Sequence, residues 1–154
     1  MKLPESIRLL AAEPSDADRL AELRAEALFE SLNQLGRYSE QGVRERFHRS
    51  FDPAFTRIIE TDGEFAGCIA LKPAENGYLL EHFYLRQETR GGGVGAEVLG
   101  RVLAEAASAD PAAAVRLNVL HGSAARRLYE RFGFKTESED EIDVFMILHP
   151  ETKA

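Results

Sequence analysis

The sequence contains one cysteine, no tryptophan and only six prolines, and it has more acidic than basic side chains. Cys68 has no partner within the chain, which excludes an intrachain disulfide framework and any zinc site built on several thiolates. That usage suits a reducing compartment. No apolar run approaches the roughly 18 residues of a membrane span. The opening Met-Lys-Leu-Pro-Glu-Ser lacks the apolar stretch and small-residue cleavage site of a secretory leader, so the expectation is a cytoplasmic protein with no membrane partner. His48, His121 and His149 are scattered without ligand spacing, so no metal is expected. With 19 basic against 26 acidic residues and a net charge of −7, the chain is poorly suited to the phosphate neutralisation on which nucleic-acid binders depend.

What is present fits one domain spanning residues 1–154. The chain has 154 residues, of which 44% are hydrophobic, enough to bury a core without a staple. The charge is unevenly placed. Residues 86–135 hold eight basic and five acidic side chains, whereas the rest is strongly acidic. The middle of the chain is therefore the region suited to an anion, although chance segregation on a solvated surface gives the same count.

Periodicity predicts the order of elements. Ile7 to Ala11 reads as a strand. Ser15 offers a cap for a helix reaching about Leu32, with Leu20, Leu23, Ala27 and Leu28 at helical spacing. Ser39 can cap a second helix, bearing Val43 and Phe47, that ends before Pro53; Gly42 sits awkwardly inside it. Thr56 to Thr61 and Phe65 to Lys72 are β-rich runs joined by Asp62-Gly63-Glu64, a hairpin signal, and a second turn over Pro73 to Gly77 leads to Tyr78 to Leu85. A helix from about Gly93 to Ala109, a strand within Ala112 to Leu120, a helix from about Ser123 to Arg131 and the strand pair Lys135 to Glu139 and Asp143 to Leu148 complete the series. Helices interrupting antiparallel strands imply an α/β fold with a mixed sheet.

The most informative segment is Arg90-Gly91-Gly92-Gly93-Val94-Gly95, which follows a strand and opens an apolar helix. Amides at a helix start lack partners in the helix and point toward a bound anion, and glycines allow phosphate oxygens close to the backbone. A pyrophosphate is a fitting guest. A dinucleotide fingerprint can be forced onto Gly91, Gly93 and Ala96 only with its last glycine missing, and the lysine and hydroxyl of the Walker loop are absent. The alternative is a glycine-rich turn with no ligand.

Arg90, Gly93 and Gly95 resemble the acyl-CoA-binding signature of the GNAT superfamily of acyl-CoA-dependent N-acyltransferases, written Gln/Arg-x-x-Gly-x-Gly/Ala. A second block, Leu117 to Phe134, resembles the later strand, helix and Gly-Phe turn of that family, and the two occur in the family's order over nearly the whole chain. The resemblance implies a mixed, mostly antiparallel central sheet with helices on both faces, splayed at the cofactor site. The pantetheine arm would lie along Phe83, Tyr84 and Leu85. Main-chain donors of Gly91, Gly92, Gly93, Val94, Gly95 and Ala96 would hold the pyrophosphate, with Arg90 as an orienter or a surface ion-pair member. Where the family often has asparagine, this chain offers Gly122 or Ser123. Ser123 can still cap the helix, and Arg126 can approach a coenzyme phosphate or pair with Glu130.

The implied chemistry is attack of a neutral primary amine on acetyl-CoA or another short acyl-CoA in a ternary complex. Tyr129 matches the family's general acid near the departing sulfur; its alternative is a core-edge aromatic. Glu81 stands where some members place a general base; its alternative is a carboxylate paired with an arginine, and a water chain can replace it. His82 reads as structural on the opposite strand face unless a bulge reverses it. Phe29, Asn33 and Tyr38 come from the early helical region that walls the acceptor side in similar folds. The acceptor would be a small-molecule or peptide amine. A noncatalytic acyl-CoA-binding module satisfies the same motifs, and the last hairpin offers an edge for a homodimer.

Overall fold

In the computed structural model, which describes residues 3–150, the chain runs β1 (Ile7–Ala11), α1 (Ala17–Gln34), α2 (Glu40–Ser50), β2 (Thr56–Thr61), β3 (Glu64–Ala74), β4 (Gly77–Leu85), α3 (Val94–Ala109), β5 (Ala114–Leu120), α4 (Ala125–Arg131), β6 (Lys135–Glu139) and β7 (Asp143–Leu148). The strands lie in the order β1-β2-β3-β4-β5-β7-β6. The β4–β5 pair is parallel, and β1–β2, β2–β3, β5–β7 and β6–β7 are antiparallel. This is a mixed, mostly antiparallel sheet flanked by helices, as the residue pattern and the resemblance implied.

Local chemistry explains the boundaries. Asp62 and Gly63 both adopt left-handed backbone, at φ 50° and 82°, the hairpin geometry whose twist matches the strands it joins. The second turn is set at Asn76, φ 62°, and β3 continues through Pro73 to Ala74, beyond the Lys72 end expected from sequence. Ser15 does not cap α1. A 3₁₀ turn over Pro14–Asp16 precedes the helix, and the Asp16 carboxylate accepts the Glu13 amide at 2.8 Å. The proline supports that extra turn because its fixed φ suits a helix start and its missing N–H is not needed there. Ser39 does cap α2, accepting the Gly42 amide at 3.0 Å. A Cβ at Gly42 would lie 3.1 Å from that hydroxyl oxygen, so the glycine leaves room for the cap.

The fold divides into two compact units. One joins the residues up to Ala70 with His82–Gly95; the other joins Leu71–Glu81 with the chain from Ala96 onward. In the first, Ala12, Leu20, Ala21, Leu23, Phe47, Ile58 and Cys68 form a buried cluster, with Leu10, Phe51, Phe65 and Tyr84 packed against it. In the second, α3 buries Val98, Leu99 and Val102, β5 buries Val115, Leu117 and Val119, and β7 buries Val144, Met146 and Ile147. Here β4 and β5 pair over Gly77–Leu79 opposite Ala114–Arg116. Strand β6 closes one end of the sheet order, is exposed along its whole length, and has an irregular register between Thr136 and Ser138.

Gly67 marks where the first unit has no slack. A Cβ there would stand 2.1 Å from the Tyr84 carbonyl oxygen and 3.1 Å from Leu85 Cα, and these are backbone atoms that cannot rotate away. Gly67→Ala is expected to cost roughly 3 kcal/mol of stability through overpacking. Chemical denaturation checks this; a midpoint equal to that of the parent chain refutes it.

Candidate active site

The loop between β4 and α3 is built from a short turn and two left-handed glycines. After Leu85 a 3₁₀ turn covers Gln87–Thr89, and the Arg90 amide donates to the Gln87 carbonyl at 3.2 Å. Gly91 and Gly93 then take φ 81° and 85°, conformations that disfavour any side chain. Alternating left-handed and ordinary residues turn successive amides toward one side, the geometry of an anion-binding nest. The 16-residue α3 starts at Val94, so its first-turn donors follow directly. Gly92 and Val94 are buried, whereas Gly91 and Gly93 are exposed. Arg90 turns back, its Nε donating to the Leu85 carbonyl at 3.1 Å, and so braces the loop on the end of β4.

Phe29, Tyr38 and Arg90 line one cavity of about 760 Å³ in the first unit, with Glu22, Glu26 and Phe65. Phe29 and Tyr38 meet edge to face at 4.7 Å. Glu22 is bound by Arg44 at 2.6 and 3.0 Å; that bond is the main reason its carboxyl lies below the usual range, and it raises Arg44 in turn. Asn33 is not among the lining residues. It sits in the last turn of α1, where its carbonyl accepts the Gly36 amide at 3.1 Å.

Strand β4 departs from simple alternation at His82, which has a left-handed φ of 50°. Its ring meets Ser50 Oγ at 2.6 Å through Nε2 and the Tyr84 hydroxyl at 3.2 Å through Nδ1. Tyr84, expected beside the coenzyme, has its hydroxyl in this network, where it also accepts from Arg24 Nε at 3.1 Å. Phe83 and Leu85 are half-buried. Cys68 donates to the His82 carbonyl at 3.1 Å, and burial pushes its thiol up to about 12.

In the second unit, Glu81 pairs with Lys72 at 2.6 Å, both side chains about a fifth exposed. The partner is thus a lysine in place of the arginine weighed from sequence. Tyr129 is buried on α4, its ring 5.7 Å from Phe134 in an edge arrangement. Ser123 Oγ accepts the Ala125 amide at 3.2 Å in the turn ahead of α4, but the N-cap position falls to Ala124, so Ser123 is not the cap expected from sequence. Arg126 lies 3.8 Å from Glu130 and donates to Thr136 Oγ1 at 3.3 Å. Among the described residues, no group of three or more His, Cys, Asp or Glu side chains is arranged to hold a metal ion, and no helix is long and apolar enough to cross a membrane.

The mixed sheet with its flanking helices has the GNAT-like fold of known acetyltransferase structures. A family model described as acetyltransferase (GNAT) domain matches residues 22–150, and the chain belongs to that family. Among solved structures, PaiA N-acetyltransferase from Thermoplasma acidophilum, in complex with coenzyme A, superposes with a TM-score of 0.75 at 21% identity, over 94% of this chain and 99% of that one. The ribosomal-protein-S18-alanine N-acetyltransferase of Escherichia coli gives 0.72 at 16% identity, with 97% of each chain covered. An N-acetyltransferase from Staphylococcus aureus Mu50 gives 0.68 at 15% identity, over 92% of this chain and all of that one. No curated protein matches the sequence.

The burial of Cys68 carries its own expectation. Because the thiolate is the reactive form, the native protein should leave an aromatic disulfide reagent essentially unconsumed at pH 8 and react with one equivalent after denaturation. Fast labelling of the folded chain would contradict the position described.

Proposed function

We propose that this protein transfers an acyl group, most simply acetyl from acetyl-CoA, to the primary amine of a small molecule or peptide in a ternary complex. The observation that carries the reading is the loop after β4: two left-handed glycines, exposed, leading straight into a long helix, in a chain that matches the family over residues 22–150. The fit to a diphosphate is one of backbone shape. Gly91 to Ala96 would supply N–H donors, and the exposed glycines leave no Cβ in the way of phosphate oxygens. Phe83 to Leu85 would flank the pantetheine arm.

In the reaction, the amine nitrogen forms a bond to the carbonyl carbon as the carbon–sulfur bond breaks; the amine gives up a proton and the departing sulfur takes one. Tyr129 is assigned the second transfer, as an O–H donor. Glu81 is assigned the first, directly or through water, with Lys72 orienting its carboxylate. A backbone N–H of β4 would stabilise the charge gathering on the carbonyl oxygen. The same Lys72–Glu81 pair favours a second reading, a noncatalytic acyl-CoA-binding module, because it occupies the carboxylate that would accept the proton.

Thiol release from acetyl-CoA across a panel of amines, with mass measurement of the products, separates the two. The transferase yields an acylated amine; the module binds coenzyme A and releases nothing. Tyr129→Phe should lower kcat by about 10² with the Kd for coenzyme A within two-fold of the parent, the signature of a lost proton donor. Unchanged turnover with chemistry limiting removes Tyr129 from that role. Gly91→Val should weaken coenzyme A binding roughly ten-fold, since a β-branched residue resists the left-handed backbone. Equal calorimetric affinity would show that the loop is not the cradle.

A further inference from the structure

His82 is the one non-glycine residue among those described that holds a left-handed backbone inside a strand; Asp62 and Asn76, with similar φ, lie in turns. A non-glycine residue persists in that conformation only when its surroundings fix it. Here four elements do so. Arg24 of α1 donates to the Tyr84 hydroxyl at 3.1 Å and to the Val43 carbonyl at 2.6 Å. The hydroxyl of Ser50, at the end of α2, donates to the Arg46 carbonyl at 3.1 Å. The buried Cys68 of β3 donates to the His82 carbonyl, and Phe47 lies 4.6 Å from the imidazole.

A guanidinium only donates, so the Tyr84 oxygen accepts from Arg24. The imidazole is clamped at both nitrogens, by Ser50 Oγ at Nε2 and by the Tyr84 hydroxyl at Nδ1, while the backbone carbonyl of the same residue is held by Cys68. Packing alone would be met by an apolar side chain, and the reversed backbone alone by glycine. The polar clamp ties the orientation of residue 82 to both helices and directly precedes Phe83 to Leu85.

We propose that His82 is a positioning residue for acyl transfer: the Ser50–His82–Tyr84–Arg24 brace holds the reversal in β4 and thereby sets the Phe83–Leu85 segment against the reacting carbonyl. This rests on the transferase reading above. The coenzyme's anchorage belongs to the glycine loop, so loosening the brace disturbs the reaction more than the binding. The rearrangement is one of geometry and involves no proton or group transfer by His82 itself.

The test uses Ser50→Ala, Tyr84→Phe, His82→Gly and His82→Asn in the full chain, with kcat and KM for acetyl-CoA and the ¹³C resonance of bound acetyl-CoA labelled at its carbonyl. Ser50→Ala and Tyr84→Phe should each lower kcat about three- to ten-fold with the acetyl-CoA KM within two-fold, and together by less than the product of the two, because both act through one ring. His82→Gly, which keeps the backbone free to stay left-handed, should lose more. His82→Asn, tolerant of that backbone and able to keep the contact to the Tyr84 hydroxyl but not the one to Ser50, should lose less than His82→Gly and about as much as Ser50→Ala. The carbonyl resonance should shift in the clamp variants, and less in His82→Asn than in His82→Gly. Should His82→Gly fail to fold, the two single-bond variants decide. Parent-like kcat and an unmoved resonance in those variants, whatever their melting temperatures, overturn the proposal, as does a KM that rises while kcat holds. A parent chain that binds no acetyl-CoA removes the transferase reading itself, an outcome distinct from bound acetyl-CoA with the same resonance in every variant.

Discussion

The reversal of backbone at His82 is the constraint around which the first unit is arranged. A strand that ran straight would carry the residues after it on the pleat set by the residues before it. One residue at φ 50° breaks that inheritance. The conformation is costly for a residue with a Cβ, and the compensation comes from Arg24, Ser50, Cys68 and Tyr84, contributed by α1, α2, β3 and β4 themselves. The helices α1 and α2 thus do more than cover apolar surface, because their polar groups decide the shape of a strand.

The same economy recurs at the glycines. Gly67 admits the Tyr84 carbonyl where any side chain would collide, and Gly42 leaves space for the Ser39 cap. Each is a position where the absence of a side chain lets a backbone or hydroxyl group take its place, so their chemistry is that of their neighbours. Gly91 and Gly93 differ in kind: no backbone atom crowds them, and their left-handed torsions open a loop toward solvent.

Much of this was legible in the residue pattern because the relevant physics is local. Period-2 and period-3.6 spacing, the Asp62-Gly63 turn and the Ser39 hydroxyl all act over a few residues, and each appears where expected. The family signature was readable for the same reason, as glycines at fixed offsets after a strand. What the pattern hid depends on contacts made at long range. Ser15 looked like the cap, but it lies within the 3₁₀ turn Pro14–Asp16 that precedes the helix. Glu81 had an arginine as its expected structural partner, and Lys72 reaches it instead from the neighbouring strand of the hairpin. His82 gave no local sign of reversal, since the groups around it include Ser50 and, through Tyr84, Arg24, both far away in the chain. Phe29, Tyr38 and Arg90 meet in one cavity although nothing in their spacing relates them.

The last strand has a consequence of a different sort. β6 is five residues long, exposed throughout, irregular around Glu137, and studded with Lys135, Glu137 and Glu139. A short, kinked and ionised border is a poor template for another chain's backbone. The molecule consequently carries a built-in obstacle to growing into ribbons or fibrils from that side.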